Sequence, residues 1–237
     1  FMIISLDKKN IESIEYAANE VIKVINEGGI AVSPTDTVYG MLADSFNTDA
    51  VNRIYDIKER EKNKPFLILL KDLESTKRFS DKEIPNIIKR NIPGELTFIM
   101  PLLDELKNQF SYLKDTVALR IPNDEYMHLI LKSTNPLAAP SANPSGYGII
   151  LDGNELAELY KDKADLIVNA GILENKMPST LYDCIQNKIL RQGSVYFWYI
   201  IFINYIFSKI FFASTIPTAI NANWKITSNT SSKLCII

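Results

Sequence analysis

The sequence predicts an α/β fold: a single domain on a twisted mixed β-sheet, with flanking helices. Amphipathic segments of period 3.6 alternate with short apolar runs of strand length. The two kinds mix without the strict alternation of an all-parallel sheet, and no internal repeat is evident. A chain of 237 residues, 46% hydrophobic and 23% charged, is long enough to bury one sizeable core.

The elements follow in order. Ile11 to Asn26 reads as a helix, with Ile14, Ala18, Val21, Ile22 and Ile25 on one face. Asn10 caps it and Gly28-Gly29 end it. Ile30 to Ser33 is a buried strand stopped by Pro34. Thr48 to Ile57 is a helix, Phe66 to Leu70 a strand, Ser80 to Arg90 a short helix and Leu96 to Pro101 a strand. Thr116 to Ile121 is a strand, Asp124 to Lys132 a helix, and Leu137 to Ala139 extended. Asn154 to Lys161 is a helix and Leu166 to Asn169 a strand. Leu181 to Ile185 and Lys188 to Arg191 form a hairpin around Gln186-Asn187. Phe66, Phe98, Leu119 and Ile121 are core candidates. His128 reads as a helix-surface residue and Cys184 as a small core hydrophobe.

Charge and cysteine count exclude several classes. The net charge of -2 gives no broad basic field for nucleic acid. Two cysteines and one histidine exclude a disulfide scaffold and a four-cysteine zinc site, and no metal site is predicted. A reducing, cytoplasmic setting is the expectation. Phe1-Met2-Ile3-Ile4 lacks the basic lead and length of a signal-peptide core.

Four motifs can carry chemistry. Ser33-Pro-Thr-Asp-Thr-Val-Tyr-Gly40 runs from a buried strand into a polar loop, offering Thr35, Asp36 and Thr37 to a small polar ligand. Lys58-Glu59-Arg60 places two cations at i and i+2, which converge on one anion if the helix ends near Ile57. In Ala139-Pro-Ser-Ala-Asn-Pro-Ser-Gly146, two prolines stiffen the backbone around Ser141 and Asn143. Pro178-Ser-Thr180 enters the last hairpin, and Arg191 leaves it as an isolated cation suited to phosphate. Each motif alone also fits a turn, a solvated charge run, a plain loop or an edge-strand charge. Neither a P-loop nor a dinucleotide-binding fingerprint is present.

Together and in this order, the motifs resemble the YrdC/TsaC family of threonylcarbamoyl-AMP synthases. Pro93-Gly-Glu-Leu-Thr97, Leu119-Arg-Ile-Pro122 and Leu190-Arg-Gln-Gly193 add to the resemblance, which covers residues 5–194. It implies a reaction. Threonine and bicarbonate give a carbamate, which attacks the α-phosphate of ATP and releases pyrophosphate. The threonylcarbamoyl-adenylate then passes to a transferase complex that modifies tRNA beside the anticodon.

The resemblance also assigns residues. Lys58, Arg60, Ser141 and Asn143 form the catalytic set. Lys58 and Arg60 take the triphosphate, Ser141 and Asn143 the nucleotide phosphates, and Arg191 phosphate or ribose. Thr35, Arg120, Ser179 and Tyr39 hold threonine. Magnesium accompanies ATP on its phosphates. A catalytic histidine or cysteine is not needed, because adenylyl transfer rests on positioning and charge stabilisation. Lys58 and Arg60 are expected to be exposed in a cleft. Glu61 departs from the family, which often has proline there, and adds a negative charge near the anion site. A non-catalytic RNA-binding module of the same fold, with tRNA contact, is the alternative. The 23 bases against 28 acids before residue 195, a net of -5, speak against strong, salt-dependent binding but not against a local basic patch.

Residues 195–237 were written by different rules. Val195 to Phe212 has 15 apolar residues of 18 and nine of the chain's 24 aromatics. All nine glycines precede it. A membrane anchor, an extra packed helix and translation of AT-rich DNA out of frame compete as explanations. Membrane partnership holds only if this segment is genuine, and Lys209 would cost an anchor roughly 2.5–3.5 kcal/mol. The abrupt switch after Gly193 favours the out-of-frame reading.

Overall fold

The computed structural model describes residues 1–197 other than 111 and 175. The readings of the hydrophobic tail fall almost wholly outside these residues. Phe1–Tyr196 forms one compact unit.

Its strands are β1 (Met2–Ser5), β2 (Ala31–Pro34), β3 (Tyr39–Asp44), β4 (Leu67–Leu69), β5 (Leu96–Pro101), β6 (Thr116–Arg120), β7 (Leu137–Ala138), β8 (Leu166–Asn169), β9 (Thr180–Asp183) and β10 (Lys188–Arg191). The helices are α1 (Ile11–Asn26), α2 (Thr48–Lys58), α3 (Asn86–Lys89), α4 (Glu125–Ser133) and α5 (Gly153–Tyr160). Short 3-10 turns span Glu74–Arg78 and Asp104–Leu106.

Among the described residues the strands make one sheet, ordered β1-β8-β2-β3-β7-β4-β6-β5-β9-β10. It is mixed, as expected: β4 pairs parallel with β6, while β5 pairs antiparallel with β6 and parallel with β9.

Capping explains where the helices start. Asn10 accepts from the backbone N–H groups of Glu12 and Ser13, the Asn47 side chain from Ala50, and Asp124 from Met127. The apolar stripe of α1 (Ile14, Ala17, Ala18, Val21, Ile25) packs with Tyr126, Met127, Ile130 and Leu131 of α4 over the sheet residues Leu42, Leu69, Leu137 and Leu166. Each large side chain so buried contributes roughly 1.5–3 kcal/mol. Phe66, Phe98, Leu119 and Ile121 are buried and His128 is exposed on α4, as the sequence predicts.

Three elements differ from expectation. The segment Ser80 to Arg90 is helical only over α3, because Pro85 takes an extended ψ of 144° and starts the helix there. Strand β3 went unrecognised within the polar-loop motif, although its Gly40, Met41 and Leu42 pair with Ser33, Val32 and Ala31 of β2. Strand β1 adds an unexpected edge, parallel to β8.

Candidate active site

A cavity of about 160 Å³ opens where several strand ends meet. The turn after β2 supplies Thr35 and Thr37, and the end of β6 supplies Arg120. The loop after β7 supplies Ser141 and Asn143. The approach to β9 supplies Ser179, and the end of β10 supplies Arg191. Tyr39 and Ile149 complete the part of the wall that matters here.

The turn is tight because β2 and β3 are adjacent and antiparallel. Both the backbone N–H and the hydroxyl of Thr35 donate to the Val38 carbonyl, at 3.2 and 2.7 Å. Lys176 donates to the Asp36 carbonyl at 2.7 Å and meets Glu95 at 3.1 Å, pinning the turn from outside.

Arg120 is 3% exposed. Its guanidinium donates to the hydroxyls of Thr37 (2.8 Å) and Thr35 (3.3 Å) and lies 3.0 Å from the Asp36 carboxylate. The last contact is a charge pair without an aligned hydrogen bond. Burial raises the Asp36 carboxyl above its usual range, against the pull of Arg120. Burial likewise lowers Arg120, which nonetheless stays charged as arginine does in proteins. The turn motif offered Asp36 and Thr37 to a small polar ligand. The structure makes them the partners that fix Arg120.

The Ser141 loop lies along β3. A bridge joins Gly40 to Ser141, and the Ala142 N–H donates to the Tyr39 carbonyl at 2.7 Å. The two segments pack closely there: a Cβ on Gly40 would meet the Pro140 carbonyl oxygen at 3.4 Å, an ordinary van der Waals contact. Asn143 donates through Nδ2 to the carbonyls of Pro144 and Tyr147, while its buried Oδ1 accepts no bond among the described residues. The Ser179 hydroxyl meets that of Thr97 at 2.7 Å, and its carbonyl accepts from Arg191 Nε and Nη2 at 3.2 and 3.0 Å. Burial lowers Arg191, and the nearby Arg120 charge adds to the effect. Two guanidiniums line one cavity, and the Arg120 charge is offset by the Asp36 carboxylate.

Tyr39, although in the wall, turns its hydroxyl away. It donates to the Gly171 carbonyl (2.8 Å) and accepts from the Ala170 N–H (2.9 Å).

Lys58 and Arg60 do not line the cavity, and the expectation that both are exposed in a cleft fails for the lysine. Helix α2 runs through Lys58, and Glu59 caps it in the left-handed region (φ 50°). The chain therefore reverses between the two cations. Lys58 is 2% exposed, and its Nζ donates to the carbonyls of Ser141 (2.6 Å) and Asn143. Burial, helped by the Arg60 charge, lowers its pKa to about 8. Arg60 is half-buried over the Phe66 ring at 5.5 Å and donates to the Lys64 carbonyl at 3.1 Å. Glu61 pairs with Lys64 at 3.3 Å, both exposed. Cys184 is only partly buried, and burial still pushes its thiol up to about 12.

The Sua5/YciO/YrdC family model, described as telomere recombination, matches residues 23–193. The chain belongs to this family. Threonylcarbamoyl-AMP synthases of Pyrococcus abyssi and Bacillus subtilis are 35% and 32% identical, over 72% and 73% of this chain. The chain spans about half the length of these two relatives, 52% in each case. The Coxiella burnetii enzyme of the same name is 28% identical and is covered over 95% of its length. The crystal structure of P. abyssi Sua5 complexed with L-threonine matches with a TM-score of 0.69 and 31% identity, covering 81% of this chain and 58% of that one. Escherichia coli YciO shares the fold, with a TM-score of 0.69 at 24% identity.

Among the described residues no helix is long and apolar enough to cross a membrane.

Proposed function

We propose that this Sua5/YciO/YrdC-family chain is a threonylcarbamoyl-AMP synthase, with residues 5–194 as its catalytic domain. The single observation that carries the reading is the convergence of Thr35, Arg120, Ser141, Asn143, Ser179 and Arg191 on one small cationic cavity. Relatives of that name, and a neighbour solved with L-threonine, support the choice of substrate.

In this reading threonine enters the cavity with its carboxylate toward Arg191 and Arg120. The hydroxyls of Thr37, Thr35 and Ser179 lie 2.8, 3.3 and 3.4 Å from those guanidiniums. The amine takes up bicarbonate with loss of water, giving a carbamate. A carbamate oxygen forms a bond to the α-phosphorus of ATP. The bond from that phosphorus to the bridging oxygen breaks, and pyrophosphate leaves with the electron pair. Ser141 and Asn143 face the transferring phosphate. The arginine donors let the site bind the anionic groups without a protein nucleophile.

Lys58 takes a different role from the one its motif suggests. It holds the Ser141–Asn143 backbone in place and acts as a positioning residue. Arg60, half-buried on the outside of the same turn, is the cation left to meet the outer phosphates. The cavity wall includes no carboxylate, so magnesium would be carried on the ATP phosphates, where it would neutralise charge. The product would pass to a transferase complex acting on tRNA, in a cytoplasmic setting.

The test is direct. The full chain is given ATP, bicarbonate and threonine, and the adenylate and pyrophosphate are followed by mass spectrometry, with serine as control. Threonine-dependent adenylate is expected. Folded protein that makes none, yet retains tRNA on a filter, would replace this reading with the RNA-binding module.

A further inference from the structure

The cavity of about 160 Å³ is small. Pockets that enclose a drug-sized ligand run to roughly 300–1,000 Å³. An amino acid and a phosphate fill the space available. A nucleotide whose phosphate reaches Asn143 or Arg191 must therefore leave its base at the mouth or beyond it.

The turn at residues 144–148 joins two residues of the cavity wall, Asn143 and Ile149. Ile149 lines the cavity yet is 42% exposed. Tyr147 is 73% exposed, the most exposed large apolar side chain among the described residues. Glycines flank it, Gly146 at φ +84°, and no atom lies within 4 Å of where a Cβ would stand on Gly146 or Gly148. Space around the ring is open. The backbone beneath it is nonetheless fixed: the Tyr147 N–H donates to the Pro144 carbonyl at 3.2 Å, and its own carbonyl accepts from Asn143 Nδ2 at 2.9 Å. The ring thus stands on a turn tied to a cavity residue. A single exposed apolar side chain needs no explanation. This one stands on a turn hydrogen-bonded to Asn143 of the cavity wall, two positions before the wall residue Ile149.

We propose that Tyr147, with Ile149, is the stacking platform for the nucleotide base, and that it sets the affinity for ATP without touching the reacting atoms. The proposal rests on the adenylate-forming reading above. Stacking on an aromatic face is tolerant of base identity, because every base offers a π-face. Tyr147 would therefore favour a nucleotide over bare phosphate and discriminate little between adenine and guanine.

The experiment uses the full chain and calorimetric titration of three ligands: threonine, ATP and inorganic tripolyphosphate. Wild type is compared with Tyr147→Ala and Tyr147→Phe, and KM for ATP and kcat are measured alongside. Tyr147→Ala is expected to weaken ATP about five-fold or more and to raise KM for ATP with kcat little changed. Its affinity for tripolyphosphate should stay at the wild-type value, and Tyr147→Phe should keep wild-type ATP affinity. Equal ATP affinity in wild type and Tyr147→Ala overturns the proposal alone. So does an equal loss of ATP and tripolyphosphate, which would mean a collapsed turn. Wild type that binds threonine but not ATP overturns the proposal and the adenylate-forming reading together.

Discussion

The Nζ of Lys58 lies 2.6 Å from the carbonyl oxygen of Ser141. A cation that the sequence offers to phosphate is spent on the backbone of the neighbouring loop. The left-handed cap at Glu59 makes this necessary, because it turns Lys58 inward and Arg60 outward.

The lysine should reveal itself in stability against pH. Its folded pKa is lowered to about 8, against an ordinary 10.5. Between those values the unfolded chain binds one more proton than the folded chain, so stability rises with pH across that window. Below about pH 8 the cost of burying the charge is fully present. Urea titrations of wild type and Lys58→Met should show wild type gaining on the variant between about pH 8 and about pH 10.5. A difference that stays constant with pH would rule out a buried, titrating amine.

Asp36→Asn should destabilise the fold more than a surface change does. It leaves the Arg120 guanidinium, 3% exposed, without its counter-charge. Breaking a buried pair from one side costs about 3–5 kcal/mol. Denaturant unfolding measures this. A loss well under about 1 kcal/mol would mean that the threonine hydroxyls alone satisfy Arg120.

Arg191→Ala should behave in the opposite way. Its bonds to protein end on the Ser179 carbonyl and hydroxyl, and the residue is exposed. Stability should barely move. Affinity for threonine or ATP should fall about ten-fold or more, since a hydrogen bond to a charged ligand contributes about 1.5–3 kcal/mol. Unchanged affinity for both ligands in a calorimetric titration would remove Arg191 from the site.

Gly193→Ala should disturb the site from a distance. A Cβ at residue 193 would lie 2.2 Å from the Pro178 carbonyl oxygen and 2.5 Å from the Thr180 nitrogen. Both are backbone atoms flanking Ser179, so relief requires the segment to move. Overpacking of this kind costs about 1–3 kcal/mol or more. Thermal unfolding should fall and threonine binding weaken together. Wild-type values for both would show that the backbone around Gly193 shifts freely to make room.

Much of the fold was legible in the sequence because periodicity and caps are local. The stripe of α1, its Asn10 cap and the apolar strands β5, β6 and β8 depend on neighbours a few residues away. Strand β3 was hidden because its Tyr39-Gly40 opening belongs to a polar motif, and only pairing with β2 and β7 makes it a strand. The motifs themselves named every stretch that lines the cavity except Leu67 and Ile149.

The sequence by itself determined the α/β class, the family resemblance and the set of polar residues available for chemistry. Tertiary structure alone decided which of them face one space. Thr35, Arg120, Ser141 and Arg191 are distant in sequence and meet because the sheet order brings their strand ends together. Lys58 and Arg60 are two residues apart and part because one residue between them takes a positive φ. Sequence spacing fixes distance only within an element. Burial and backbone turns fix where a charge ends, and those depend on what the rest of the chain packs around it.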